Sequence, residues 1–306
     1  MLDKASITNF SRGSFHDGPG IRTVVYFNGC SLNCKWCHNP ETISHQDEIL
    51  YVRSKCIKCG KCIEVCPKHH VVYNDDMLYI RAGCTKCGKC ADVCPSGALN
   101  VASKGYDFDY IMKEIRKDIP YYNQSGGGVT FSGGECLLHI DLLEKLLKKC
   151  KEENIHTCIE SAFHVPFEHA ERAASYVDFI FADLKIPNSE KHKEFTGKGN
   201  ELIIDNIRKI SNIHNNITIR IPMIPAVNDE VSDIIDFARI INTFGEGIKG
   251  VELLKYNYLA ESKYELMDKK YYKFGDRTQD NEKMDNLVEW MQKTLERDIP
   301  VYYRKG

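Results

Sequence analysis

The sequence is short of three things. It has no surplus of charge: 41 Lys and Arg stand against 43 Asp and Glu, a formal net charge of -2. So balanced a surface carries no electrostatic footprint for nucleic acid. It has no apolar run near the length of a membrane span, so no membrane insertion is expected. Its opening residues, Met1-Leu-Asp-Lys-Ala5, lack the apolar stretch of a secretory signal. These absences set the expectation of a cytoplasmic protein that works as a monomer. Its 306 residues leave room for about two domains.

Cysteine, by contrast, is plentiful. Of fourteen cysteines, eleven fall in three tight runs. In a reducing compartment such runs read as metal ligands rather than disulfides. The first is Cys30-Ser-Leu-Asn-Cys34-Lys-Trp-Cys37, just after the apolar run Thr23–Phe27. Three thiolates on one loop can hold three irons of a cubane [4Fe–4S] cluster and leave the fourth iron open. An open iron suits binding and reducing a small molecule. The alternative is a zinc knuckle with His38 as fourth ligand. The other two runs, Cys56-x2-Cys59-x2-Cys62-x3-Cys66-Pro67 and Cys84-x2-Cys87-x2-Cys90-x3-Cys94-Pro95, form an internal repeat. They match the bacterial ferredoxin run, in which the fourth cysteine ligates the other cluster. The ligand sets are then Cys56, Cys59, Cys62 and Cys94 for one cluster, and Cys84, Cys87, Cys90 and Cys66 for the other. Zinc is again the alternative. Lys58, Lys61, Lys86 and Lys89 read as a solvated face, or as a field that draws in an acidic electron donor. Cys150 and Cys158 read as buried thiols, and Cys136 sits beside a glycine turn.

Beyond about residue 102 apolar residues recur at helical spacing in Phe108, Ile111, Met112, Ile115 and Ile119. Strand-like runs then alternate with helices. Strands are predicted at 129–131, 156–159, 179–181, 217–221 and 251–254, and helices at 138–151, 166–175, 201–213, 230–243 and 281–296. With the strand at 21–27 this makes six βα units and a parallel sheet covered by helices. The fold class is α/β: a partial (β/α)6 barrel, with chemistry at the C-terminal strand ends. The expected division is 1–52 and 103–306 for the barrel and 53–102 for a ferredoxin-like insertion. Polar residues close the strands: Ser132-Gly133-Gly134-Glu135, Glu160-Ser161, Asp183-Leu184-Lys185, Arg220 and Asn257. Taken singly these read as a glycine turn, an ion pair and core packing.

Taken in order, over nearly the whole chain, they resemble the radical S-adenosylmethionine (radical SAM) enzymes, whose mark is the C-x3-C-x2-C loop. Within them the chain resembles the glycyl-radical-enzyme activating enzymes. Asp17-Gly18-Pro19-Gly20, followed by Ile21-Arg22, looks like their D-G-P-G-x-R stretch. Asp183-x-Lys185 with His192 and Thr196-Gly197 looks like another of their motifs. The resemblance implies three [4Fe–4S] clusters and S-adenosylmethionine (SAM), with a monovalent cation between Glu160 and Asp183 as a further candidate. It places Trp36, Cys37 and His38 beside the adenosyl group. It places Gly133, Gly134 and Glu135 at the amino group, and Asp183, Leu184 and Lys185 at the carboxylate. It makes Glu160 and Arg220 SAM-region residues. Asn257 stands where many relatives carry histidine, and Cys136 where the usual residue is proline. Asp17 and Gly18 would touch the glycine-bearing segment of a partner, with Arg22 as support. The implied reaction is reductive cleavage of SAM to a 5′-deoxyadenosyl radical, which takes a hydrogen from a glycine of a partner glycyl radical enzyme. Flavodoxin or ferredoxin would supply the electrons. The alternative is a radical SAM enzyme acting on a small molecule or RNA.

Overall fold

The protein is described by a computed structural model covering residues 4–74, 77–80 and 83–305. The chain opens on a hairpin of β1 (Lys4–Ser14) and β2 (Arg22–Phe27). An insertion follows: β3 (Ile49–Tyr51), α1 (Lys61–Glu64), β4 (Val71–Asn74), β5 (Met77–Ile80), α2 (Lys89–Asp92) and β6 (Leu99–Val101). Then come β7 (Lys104–Asp107), α3 (Phe108–Arg116), α4 (Ile119–Ser125), β8 (Gly128–Gly133), α5 (Ile140–Glu152), β9 (His156–Ser161) and α6 (Phe167–Ala174). The last third holds β10 (Phe179–Asp183), α7 (Ser189–Thr196), α8 (Glu201–Ile210), β11 (Ile217–Pro222), α9 (Val231–Ile241), β12 (Ile248–Leu254), α10 (Glu261–Glu265), α11 (Asn281–Thr294) and β13 (Val301–Tyr302).

Nine strands make one sheet in the order β13-β12-β11-β10-β9-β8-β2-β1-β7. From β2 to β13 every pairing is parallel; β1 and β7 extend it antiparallel. Its edges do not pair with each other, so among the described residues the sheet is open and no closed barrel forms. All six predicted strands are present and parallel. The flanking β1, β7 and β13 were not anticipated; β13 is two residues long, too short for a periodic signal.

Side chains alternate between the two faces of a strand. Val25, Phe27, Val129, Phe131, Ile159, Ile180, Ala182, Ile219, Ile221, Val251 and Leu253 face the helices and join the main core. On α5 the stripe Leu142, Leu143, Leu146, Leu147 and Cys150 is buried against them. Each such leucine contributes about 1.5–3 kcal/mol by leaving water. The opposite, concave face therefore carries Arg22, Tyr26, Thr130, Ser132, Glu160, Asp183, Arg220 and Glu252. Polarity on that face, at parallel strand ends, is what makes a site there.

The insertion is closed at its base by the antiparallel pair β3–β6, which brackets residues 49–101. Its apolar cluster of Ile49, Tyr51, Val71, Ala98 and Leu99 includes Cys62 and Cys90 and is separate from the main core. The two cysteine runs repeat in backbone as in sequence. Lys58 and Lys86 have φ of 56° and 54°, and Gly60 and Gly88 have φ of 78° and 79°.

Candidate active site

Strand β2 delivers the chain to the loop that carries Cys30, Cys34 and Cys37. Backbone bonds hold that loop on two sides. Gly29 N–H donates to Thr42 O at 2.8 Å and Cys30 N–H to Ile43 O at 3.1 Å; Asn33 N–H donates to Thr196 O at 2.7 Å and Lys35 N–H to Phe195 O at 3.0 Å. The second pair of acceptors closes α7, a helix the sequence did not announce because its exposed residues form no apolar stripe. Beside the loop lies the turn after β8. Gly134 N–H donates to Phe27 O and Glu135 N–H to Gly29 O, both at 2.8 Å. A Cβ at Gly133 would meet Phe27 N at 2.4 Å, and one at Gly134 would meet Gly29 O at 2.3 Å. The glycines are thus required by neighbouring backbone: they let turn and loop lie against each other.

Loop and turn bound a cavity of about 240 Å³ at the C-terminal strand ends. Cys30, Cys34 and Cys37 line it together with Gly133, Gly134, Glu160, Asp183 and Lys185. Trp36 lines it and also packs on Phe195 and Phe274, with ring centroids 6.3 and 6.1 Å away. His38 and Asn257 complete the mouth; the His38 Nε2–H donates to Asn257 O at 2.9 Å.

The electrostatics are those of opposed charges out of water. Lys185 Nζ donates to Asp183 Oδ2 at 2.8 Å. Burial disfavours the Lys185 cation, but Asp183, Cys34 and Cys30 outweigh it and hold its pKa above the ordinary value. Burial, and then the Glu160 charge, raise Asp183. Burial also opposes the Glu160 charge, yet Arg220 and Ser132 prevail and hold that carboxyl below its usual range. Burial pushes all three thiols up, Cys37 to about 12, and Cys34 adds to the shift of Cys30 and Cys37. Such a trio becomes thiolate only against a compensating cation.

Residues 24–238 match the radical SAM superfamily. The chain is 41% identical over 273 residues to a trans-4-hydroxy-L-proline dehydratase activating enzyme from Clostridioides difficile, covering 87% of this chain and 88% of that one. It is 39% identical over 272 residues to a (2S)-3-sulfopropanediol dehydratase activating enzyme from Klebsiella oxytoca, covering 87% and 86%. A radical SAM methyltransferase from Sphaerobacter thermophilus shares the fold at 11% identity, with a TM-score of 0.53, over 97% of this chain and 76% of that one. The chain belongs to the radical SAM superfamily.

It is therefore an enzyme that works with SAM and a [4Fe–4S] cluster, and its cavity suits both. Three thiols of one loop share a wall, and a lysine cation and a glycine turn stand opposite. Among the described residues no three His, Cys, Asp or Glu side chains converge on a single ion position. Zinc needs such convergence, whereas the cysteines of a cubane bind different irons. His38 has also committed one ring nitrogen to Asn257.

Glu135, Leu184 and Arg220 do not line the cavity, and neither do Asp17 and Gly18. Glu135 is fully buried and does not line the cavity. Its carboxylate accepts from Ser161 Oγ at 2.8 Å, Ala162 N at 3.1 Å and Leu137 N at 3.2 Å. It braces the turn. Leu184 points into the main core, as its place one residue from Asp183 dictates. Arg220 lies below the cavity. It donates to Glu160 Oε1 and Glu252 Oε2, both at 2.8 Å, and stacks 3.3 Å over the Phe181 ring. It positions Glu160. Asp17 and Gly18 also lie off the cavity, on the concave face beneath it. The His16 carbonyl accepts from Arg220, and Arg304 donates to Phe15 O at 3.0 Å. Buried Arg22 supports the loop from below, donating to Pro19 O at 3.0 Å. Burial and the Glu160 charge raise the Asp17 carboxyl. Cys136, Cys150 and Cys158 are fully buried.

Sequence reasoning missed a strap, residues 261–266, that contains α10 and grips the cysteine loop. Tyr264 OH donates to Cys37 O at 3.1 Å, and Lys263 Nζ reaches Asn39 Oδ1 at 2.7 Å and Glu41 Oε1 at 2.8 Å. The strap then meets the insertion, where Tyr51 N–H donates to Leu266 O at 2.7 Å. The only hint was a cluster of aromatic and basic residues after Asn257. In the insertion, Cys56, Cys59, Cys62 and Cys94 line one cavity, drawn from both runs. Cys66 and Cys94 hold matching places. Burial would raise both thiols, but surrounding donors, among them His70 N at 3.3 Å on Cys66 and Leu99 N at 3.4 Å on Cys94, bring them below the ordinary value.

Proposed function

We propose that this protein activates a glycyl radical enzyme and that its insertion holds two further [4Fe–4S] clusters, served by a flavodoxin or ferredoxin. The observation that carries the reading is the shared cavity of Cys30, Cys34, Cys37, Asp183 and Lys185 at the parallel strand ends. The activating-enzyme relatives, which match most of the chain, support it. When loaded, the cluster and SAM supply one electron and a 5′-deoxyadenosyl radical that takes a hydrogen from a glycine Cα of the partner.

The chain's own residues prepare this step. Lys185, held by Asp183, offers a fixed cation to a carboxylate. The turn at Gly133 and Gly134, braced by Glu135, offers backbone acceptors to an ammonium. Trp36, Ile224 and Tyr256 exclude water from that side, forming one apolar cluster. Glu160 and Asp183 leave a place for a monovalent cation. The protein domain of residues 53–102 holds the crossed cysteine sets Cys56/Cys59/Cys62/Cys94 and Cys84/Cys87/Cys90/Cys66, and the protein acts as a cytoplasmic monomer.

The test is anaerobic incubation of reconstituted enzyme with SAM, reduced flavodoxin and a peptide carrying a glycyl loop. Accelerated release of 5′-deoxyadenosine, with a glycyl radical signal on the intact partner, is the expected result. Acceleration by a metabolite or RNA alone would replace this reading with another radical SAM activity.

A further inference from the structure

The two cysteine runs are alike in sequence and backbone but not in surroundings. Lys58 of the first run is exposed; its counterpart Lys86 is half-buried. Lys86 Nζ donates to Glu48 Oε1 at 2.8 Å and to Ser44 Oγ at 3.1 Å, and the buried Glu48 also accepts from Lys269 at 2.7 Å. Around Gly60 a Cβ would meet nothing, whereas Gly88 is buried against Val101. Lys86 lines one cavity with Cys30 and Cys34. The cavity of Cys56, Cys59, Cys62 and Cys94 borders no residue of the main sheet or its helices. Beside it Ile57 is 64% and Tyr73 39% exposed, in a surface that also presents Lys55, Lys58 and Lys61.

We infer that the insertion is a directional relay. The second run, Cys84, Cys87 and Cys90 with Cys66, is the inner site, clamped through Lys86, Glu48 and Lys269 to the 44–48 segment that shares a cavity with Cys30 and Cys34. The first run with Cys94 is the outer site. An acidic, low-potential one-electron protein docks on its apolar, lysine-ringed face. One electron passes from that donor to the outer site, then to the inner site, then to the cluster of the main cavity; no proton or bond change is needed on the way. This rests on the reading under Proposed function.

The test uses reconstituted full-length enzyme with SAM bound and all clusters reduced, read by electron paramagnetic resonance. Cys59→Ala should keep the magnetic coupling of the main-cavity cluster to a neighbour, and Cys87→Ala should abolish it. The reverse pattern overturns the order. Each variant should hold about eight irons rather than about twelve; unchanged iron in either would defeat the two-cluster reading itself instead. Glu48→Gln keeps every cysteine, so it covers the case in which a cysteine variant loses both clusters. It should weaken the coupling at full iron content, and unaltered coupling refutes the clamp. Lys58→Glu with Lys61→Glu should slow reduction by reduced flavodoxin at least tenfold at low salt while dithionite reduction is unchanged. Equal rates with flavodoxin reject the docking face.

Discussion

At the scale of the residue, the buried charges of the concave face set the boldest expectations. Arg220, itself buried, neutralises the buried Glu252 and the cavity-lining Glu160. Arg220→Met should cost about 3 kcal/mol in denaturant unfolding, because it leaves Glu160 without its cation and the buried Glu252 with Arg304 alone. Adding Glu252→Gln should recover part of the loss. Glu135 gives a pH signature. Burial pushes its pKa up from 4.5 to about 7 despite three donors. The folded state thus holds a proton that the unfolded chain has released, between pH 4.5 and about 7. Its contribution to stability is whole below pH 4.5 and falls as pH rises to about 7. The stability difference between wild type and Glu135→Gln should shift across that window by about 3 kcal/mol; a flat difference would contradict the burial argument. The cysteines were legible because their spacing is itself the chemistry. Glu135 and Arg220 lie off the cavity wall, and sequence does not show this: it marks which residue ends a strand, not whether its side chain turns to the cavity or into the protein.

At the scale of the element, turn and loop act as one piece. Gly134→Ala would drive a Cβ against Gly29 O at 2.3 Å and Thr42 O at 2.6 Å. The expected outcome is loss of about four irons per chain with the insertion still loaded, followed by iron assay and absorbance. Cys56→Ala or Cys87→Ala should slow activation while SAM binding, measured calorimetrically, stays near wild type. The parallel strands were legible from apolar runs separated by amphipathic helices. The helix α7 was not, since it is held by its cap at Asn188 and by the loop it grips, neither of which leaves a periodic trace.

At the scale of the molecule, the main core and the core of residues 49–101 are of unequal strength. The main one spans the sheet and its helices; the other is a handful of side chains around Cys62 and Cys90. About fifty residues with so little apolar interior fold poorly unaided, and the metal binding proposed above would supply what is missing. Stripping iron with a chelator should therefore raise amide exchange across 53–98 while β8 to β12 stay protected. Uniform protection would mean that the insertion stands alone. The strap that joins α10 to the Cys37 and Tyr51 backbones was not legible, because a link made of carbonyls and single side chains has no compositional signature.

That strap has a mechanical consequence. It is pinned to Cys37 at one end and to Tyr51 at the other. Whatever pries it from the cysteine loop must pull on the backbone that seats the insertion. Tyr264 and Leu266 are two residues apart, so a shift of one tugs on Cys37 and Tyr51 together.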